Sequence, residues 1–384
     1  MDEDELKHIG DFDEYLRQSE PHKRERAESW KTAIGLQEVD GLKPSSYLLD
    51  TARQHIEGDI TIDEVKDLID SYYQVQAGKP ENIRGAEEAD KASINIAKLL
   101  NEKTFTFSPV GYIAIHRRIF NGLFKFAGQI RDYNITKREW VLRGDTVLYA
   151  GADEIRSALE HDFSKESEFD YKGLSISDIV KHFAKFISNL WQIHAFGEGN
   201  TRTTAVFAIK YLRAMGFEVN NDLFADHSWY FRNALVRANY RNYQRGINPN
   251  SKYLELFFRN LLMGEQNELK NRYLLVDAPE ELQGKNISTR QEPDKYPDKL
   301  PGMLGADNQG LVKLVNILGE SQMSVREMLA ALGLRDRENF LESYLSPAIK
   351  DGFIRQLYSH KPKHPRQKYL LTVKGIALYQ HLKE

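Results

Sequence analysis

The sequence predicts a mainly α-helical protein. Long apolar stripes recur at helical spacing, strict apolar/polar alternation is confined to a few short runs, and start and stop residues bracket the stripes. In chain order, Pro44-Ser45-Ser46 reads as a helix start and Gly58 as its stop, with a second helix over 62–73. These belong to a small helical lobe over residues 1–75. A stripe covers 93–102. Residues 128–149, with Arg143-Gly144-Asp145 as a turn, read as a short β-hairpin. Residues 177–193 place Ile179, Phe183, Phe186, Ile187, Leu190 and Trp191 on one face, 203–215 continue with Val206, Phe207, Ile209, Tyr211 and Leu212, and 227–240 form the next helix. A central unit over 76–265 follows from these elements. From 266 to 307 the periodicity fades and four of the twelve prolines occur (Pro279, Pro293, Pro297, Pro301), which marks a linker in which 273–276 are apolar enough to dock on a neighbour. Residues 308–384 then read as helices at 311–318, 324–332 and 337–350, with strands at 353–358 and 368–372 around a basic turn. Helix, helix, helix, hairpin is the order of a winged helix.

Composition narrows the classes. The 384 residues include no Cys, 53 basic and 56 acidic side chains, and 41% hydrophobic residues. Fibrous and disordered chains are excluded, as are disulfides, thiolate metal sites and Cys nucleophiles. The acidic opening Met1-Asp2-Glu3-Asp4-Glu5 is the opposite of a signal-peptide n-region, and no apolar run approaches the roughly 18 residues of a membrane span. The expectation is a cytoplasmic protein with no membrane contact. The net charge of −3 conceals a split: residues 308–384 hold 12 basic and 7 acidic side chains, net +5, against −8 for the residues before them. The last segment is therefore expected to be a partner-binding module.

The segment that carries chemistry is His194-Ala195-Phe196-Gly197-Glu198-Gly199-Asn200-Thr201-Arg202-Thr203-Thr204. It joins two apolar helices, so the second helix starts with unpaired N–H groups and a positive dipole end facing the loop. That is an anion site. Gly199 and Asn200 tolerate the left-handed backbone of an N–H nest, and Arg202 adds a guanidinium suited to phosphate oxygens. Glu198 offers a carboxylate for a hard cation bridging phosphates. His194 offers a base that titrates near neutrality.

At these residues the sequence resembles the Fic family, whose signature is H-x-F-x-D/E-G-N-G-R-x-x-R on a helix–loop–helix. His194, Phe196, Glu198, Gly199, Asn200 and Arg202 match it in position. The resemblance, over roughly 93–265, implies the Fic helical fold with a β-hairpin flap, and a protein adenylyltransferase that moves AMP from ATP to a Ser, Thr or Tyr hydroxyl of a target protein. It implies His194 as base, Glu198 as Mg²⁺ ligand, and Gly197, Gly199, Asn200, Thr201 and Arg202 as phosphate binders. It also implies that Trp140, Val141 and Leu142 of the flap hold the target by strand addition. Two positions depart from the signature. Thr201 stands where Gly is usual, and Ala205 where a second Arg contacts the ATP γ-phosphate, so that contact falls to Arg202 or to another cation.

Many members of the family carry an inhibitory Ser/Thr-x-x-x-Glu-Gly/Asn helix. Here Glu57 precedes Gly58 at a helix end and is the candidate, with Arg53 at the Ser/Thr position; an ordinary solvated Glu57 is the alternative. The winged helix is expected to contact protein rather than DNA, because Glu338 and Glu342 on its third helix suit a DNA groove poorly. A second copy of the chain is a further partner to consider. The rival readings are a Fic-fold phosphotransferase of another type and a non-catalytic, nucleotide-sensing winged-helix regulator.

Overall fold

The computed structural model describes residues 20–75, 82–217, 219, 222–277, 309–319, 321–334, 336–357 and 367–372, with isolated positions 12, 15, 375, 378, 379 and 382. Helix α1 (Pro21–Gly35) has Pro in its first turn and buries Ala27, Trp30, Ala33 and Ile34. It runs into a 3₁₀ turn, Leu36–Asp40. Helix α2 (Ser46–Glu57) begins where the Ser45 hydroxyl accepts the Leu48 N–H and ends at Gly58 in the left-handed region, as its punctuation predicts. Helix α3 (Ile62–Val75) follows. Helix α4 (Asn82–Asn101) begins well before the predicted stripe. Helix α1 lies along it, and the Ser93 hydroxyl donates to the Ala33 carbonyl.

The central helices are α5 (Pro109–Ile119), α6 (Ile155–Glu168), α7 (Ile176–Ile193), α8 (Asn200–Ala214), α9 (Asp222–Asp226), α10 (Ser228–Asn239) and α11 (Lys252–Met263). The stripes read from sequence are α7, α8 and α10. Phe163, Phe183, Phe186, Phe207 and Tyr211 from α6, α7 and α8 fill the space between them with tilted and edge-on ring pairs, which aromatic quadrupoles favour. The buried Glu166 carboxylate ties the same three helices. It accepts from the Tyr211 hydroxyl (2.7 Å) and the Tyr171 hydroxyl, and pairs with His182 Nε2 at 2.6 Å.

The expected hairpin over 128–149 is a turn without a strand ladder. Trp140–Leu142 form a 3₁₀ turn, Arg143 and Gly144 are left-handed (φ 57° and 87°), and Glu139 N–H to Asp145 O closes the reversal at 2.9 Å. The Val276 N–H donates to the Val141 carbonyl (2.8 Å) and Arg143 pairs with Asp277. The turn is thus held from outside by 271–277, which places the predicted docking segment.

Beyond the gap in description lie α12 (Gln309–Leu318), α13 (Val325–Leu332) with a Ser324/Glu327 capping box, and α14 (Arg337–Phe340). A π turn, Leu341–Leu345, then leads into α15 (Ser346–Lys350). Pro347 lacks the N–H that would bond one turn back, so the helix widens just before it. Strands β1 (Ile354–Gln356) and β2 (Tyr369–Leu371) pair antiparallel with Ile354 opposite Leu371, and Met323 bridges Tyr369. Most of the basic turn between them, like residues 278–308, lies outside the described residues. This module meets the end of α8 at a pair of glycines: a Cβ on Gly216 would come within 2.2 Å of the Gly352 carbonyl oxygen. Among the described residues no helix is long and apolar enough to cross a membrane.

His55 of α2 accepts the Trp30 indole N–H through Nδ1 (2.9 Å), and burial, helped by Arg26, pushes its pKa down to about 4. A folded-state value below the unfolded value near 6.5 gives stability that is present above pH 6.5 and lost as pH falls toward 4. The urea midpoint, followed by tryptophan fluorescence, is expected to drop between pH 7 and pH 5, and to drop less in His55→Phe. An identical pH dependence in both proteins would mean that His55 does not set the acid sensitivity of the fold.

Candidate functional site

Helix α7 starts at Ser175, whose hydroxyl caps Asp178, and ends at His194, held in the left-handed region (φ 50°, ψ 57°). An L side chain there costs roughly 1–2 kcal/mol, so the surroundings must impose it. They do so through Arg131. Its Nε donates to the His194 carbonyl (2.8 Å), Nη1 to Tyr133 O (2.6 Å) and Nη2 to Ala150 O (2.5 Å), while its own N–H donates to Ala195 O. One buried guanidinium joins the motif loop to both sides of the 128–150 segment. Its sequence signal was only an Arg in Gly128-Gln129-Ile130-Arg131, and burial of that Arg was not legible there.

The loop is then fixed from within. Phe196 is fully buried and stacks on the His116 ring of α5 (3.8 Å, 13° between planes). Gly128 N–H can only donate, so His116 Nδ1 accepts from it (2.8 Å) and Nε2 carries the proton, donating to the Glu198 carbonyl (3.0 Å). Burial pushes the His116 pKa down to about 4, which keeps this tautomer neutral. The Asn200 amide spans the loop, accepting from Phe196 N–H (3.0 Å) and donating to Phe196 O (2.7 Å). Its side chain is therefore a brace. Gly199 (φ 75°) lies under Phe120, where a Cβ would come within 2.2 Å of the ring. Thr201, at the position where the signature has Gly, accepts the Trp191 indole N–H at 3.0 Å. Asn200, Thr201 and Arg202 precede the first intrahelical bond, Thr203 N–H to Gly199 O, so their N–H groups face outward from the helix start.

His194 is 3% exposed, and neither ring nitrogen has a hydrogen-bond partner. The Tyr149 ring packs on it at 4.2 Å, and Tyr149 donates to the buried Glu139, which pairs with Arg232 at 2.9 Å. Burial, reinforced by the positive charges of Lys137, Arg131 and Arg232, holds His194 well below the usual histidine range. It is a neutral imidazole with one lone pair and one N–H uncommitted. Glu198 stands half-exposed at the loop, its carboxylate 3.1 Å from Lys137 Nζ. Among the described residues no cluster of three or more metal-type side chains occurs. A lone carboxylate fits Mg²⁺ shared with nucleotide phosphates, which supply the remaining oxygens, and does not fit an all-protein cage.

Two expected site residues are placed otherwise. The Arg202 guanidinium is 1% exposed and enclosed by the fold: Nε lies 2.7 Å from Asp40, Nη1 donates to Gln37 (2.9 Å), Nη2 to Glu88 (2.7 Å), and the group lies over the Phe120 ring. Two carboxylates from the Leu36–Asp40 turn and α4 outcompete an outward orientation. Glu57 pairs with Lys23 at 2.9 Å on α1, which holds its carboxyl below the usual range. Among the described residues of the N-terminal lobe, Asp40 is an acidic group that reaches the motif. Of the flap residues, Val141 and Leu142 are buried and Trp140 is 46% exposed. On α10, Asn233 donates to Asn271 (2.8 Å) and Asn239 to the Ser188 carbonyl (3.2 Å), as helix-packing residues do.

Residues 106–212 match the Fic/DOC family model, and these residues contain the whole His194–Thr204 motif. The chain carries a Fic/DOC family domain. Residues 309–372 match the C-terminal domain of Fic-like "filamentation induced by cAMP" proteins. A protein adenylyltransferase of Bartonella henselae is 24% identical over 164 residues, which are 40% of this chain and 30% of that protein. Among solved structures, a Fic family protein from Desulfovibrio desulfuricans is similar at a TM-score of 0.38 and 17% identity, covering 96% of this chain and 95% of that one. BepC of Bartonella tribocorum, with bound AMPPNP, is similar at a TM-score of 0.38 and 20% identity, covering 48% and 88%.

Arg131→Met leaves the carbonyls of His194, Tyr133 and Ala150 without their shared donor. Each buried unsatisfied group costs about 1–3 kcal/mol, so the unfolding free energy is expected to fall by about 3 kcal/mol or more. A urea titration showing a fall below about 1 kcal/mol would mean that the Fic/DOC loop is held by something else.

Proposed function

We propose that the Fic/DOC domain is a protein adenylyltransferase that moves AMP from ATP to a Ser, Thr or Tyr hydroxyl of a target protein. The observation that carries this is a buried, neutral His194 with uncommitted ring nitrogens at the mouth of a glycine-bearing helix start. Phosphates placed against Gly197, Gly199, Asn200 and Thr201 meet outward N–H groups and the positive end of α8. Their negative charge offsets the fields of Lys137, Arg131 and Arg232, which raises the basicity of His194 when it is needed. His194 takes the proton of the target hydroxyl as its oxygen attacks the α-phosphorus; the bond to the bridging oxygen breaks and pyrophosphate leaves. Mg²⁺ on Glu198 and the phosphates supplies charge neutralisation when bound. The left-handed His194 backbone, fastened by Arg131, fixes where the imidazole stands relative to α8.

Arg202 has no part in this reading, because its guanidinium is taken by Asp40, Glu88 and Gln37. That occupancy, with Ala205 in place of a second Arg, also favours a second reading in which the domain senses nucleotide without transferring it. The C-terminal module is read as a winged helix that docks protein. A chain expected to work without thiols or membrane contact is consistent with action in the cytoplasm.

Incubation of the whole protein and a cell lysate with Mg²⁺ and ATP labelled at the α or the γ phosphate separates the readings. Label retained on protein from the α position alone, and lost in His194→Ala, is the expected result. Label from γ alone contradicts AMP transfer, and no label with normal ATP binding supports the sensor.

A further inference from the structure

The cations that the family motif supplies to a nucleotide are missing or engaged here. Ala205 carries no charge, and Arg202 is closed in by Asp40, Glu88, Gln37 and Phe120. A triphosphate bound at the α8 start would still need a side-chain cation, since N–H groups alone meet several negative charges. Among the described residues, the cations that act most strongly on His194 are Lys137, Arg131 and Arg232. Arg131 is spent on the carbonyls of His194, Tyr133 and Ala150. Arg232 is bound to Glu139, whose side chain is completely buried, and breaking that pair would strand a charge inside the protein. Lys137 differs. Its partner, Glu198, is 54% exposed and belongs to the motif, and exposed ion pairs are weak enough to exchange.

The Lys137 backbone cannot drift away from the loop. Asn134 accepts the Ala152 N–H at 2.9 Å on one side, and Glu139 is fixed by Asp145, Tyr149 and Arg232 on the other. Only the flexible four-carbon stem is left to move, which suits an ammonium that changes partners over a short distance.

We propose that Lys137 is a nucleotide-phosphate ligand of this site, exchanging the Glu198 carboxylate for a phosphate oxygen when Mg²⁺ and nucleotide bind together. The inference rests on the nucleotide reading above and names the cation that replaces the absent second Arg. In the nucleotide-free protein the Lys137–Glu198 pair neutralises the metal ligand.

The test is calorimetric binding of a non-hydrolysable ATP analogue, and of adenosine, to the full chain with and without Mg²⁺, in wild type, Lys137→Ala and Lys137→Arg. With Mg²⁺, Lys137→Ala is expected to weaken analogue binding about tenfold or more, to change adenosine binding less than about twofold, and to be largely rescued by Lys137→Arg. Without Mg²⁺ the analogue should show less than about a twofold effect, because Lys137 stays on Glu198. Equal or tighter analogue binding by Lys137→Ala, with wild type binding normally, overturns this inference alone and makes Lys137 a mere neutraliser of Glu198. A wild-type chain that binds neither compound overturns the nucleotide reading and this inference with it.

Discussion

The contact on which the site depends is the buried Arg131 guanidinium. A helix that ends on a histidine in the left-handed region is unfavourable unless something claims the carbonyl that the turn exposes. Arg131 claims it, and with its other nitrogens claims the carbonyls of Tyr133 and Ala150. The same residue therefore sets the His194 backbone and the position of the segment that carries Lys137, Glu139 and Tyr149. Without it the charges around His194 would have no fixed distance from the imidazole, and neither would the start of α8.

The second constraint comes from the N-terminal lobe. Asp40 and Gln37, one turn beyond α1, reach across to Arg202 in α8, and Glu88 of α4 completes the enclosure. Three parts of the chain are joined at a guanidinium that the motif pattern assigns to phosphate. A fully buried Arg with two carboxylates is strongly held, since removing one partner leaves an uncompensated charge. The consequence is a division of labour: α8 offers backbone N–H groups and a dipole to a ligand, and its arginine serves the fold.

Much of this was legible in the sequence, for identifiable reasons. Helices α2, α7, α8 and α10, the C-terminal helices and both strands announce themselves through caps and one-sided stripes, and the motif loop through residue types found together for few other purposes. Helix α1 was not legible because its stripe is broken by buried Ser29, Lys31 and Thr32. The hairpin was misread as strands because alternation says nothing of the 271–277 segment that holds the turn. The partners of Arg202 and Glu57 were not legible because local sequence cannot show that Asp40 and Lys23 fold against them. His116, Arg131 and Lys137 were missed because each acts across a distance in the chain that only folding closes.

A crystal structure of the full chain with Mg²⁺ and a non-hydrolysable ATP analogue would show whether the start of α8 holds phosphate through its backbone while Arg202 stays in the fold. Phosphate oxygens are expected within hydrogen-bond distance of the N–H groups of the Gly197–Thr201 loop, with an intact Arg131 fan on the His194 carbonyl and Arg202 still enclosed by Asp40 and Glu88. Phosphates bound to an Arg202 released from that enclosure, or a nucleotide seated away from the α8 start, would contradict it.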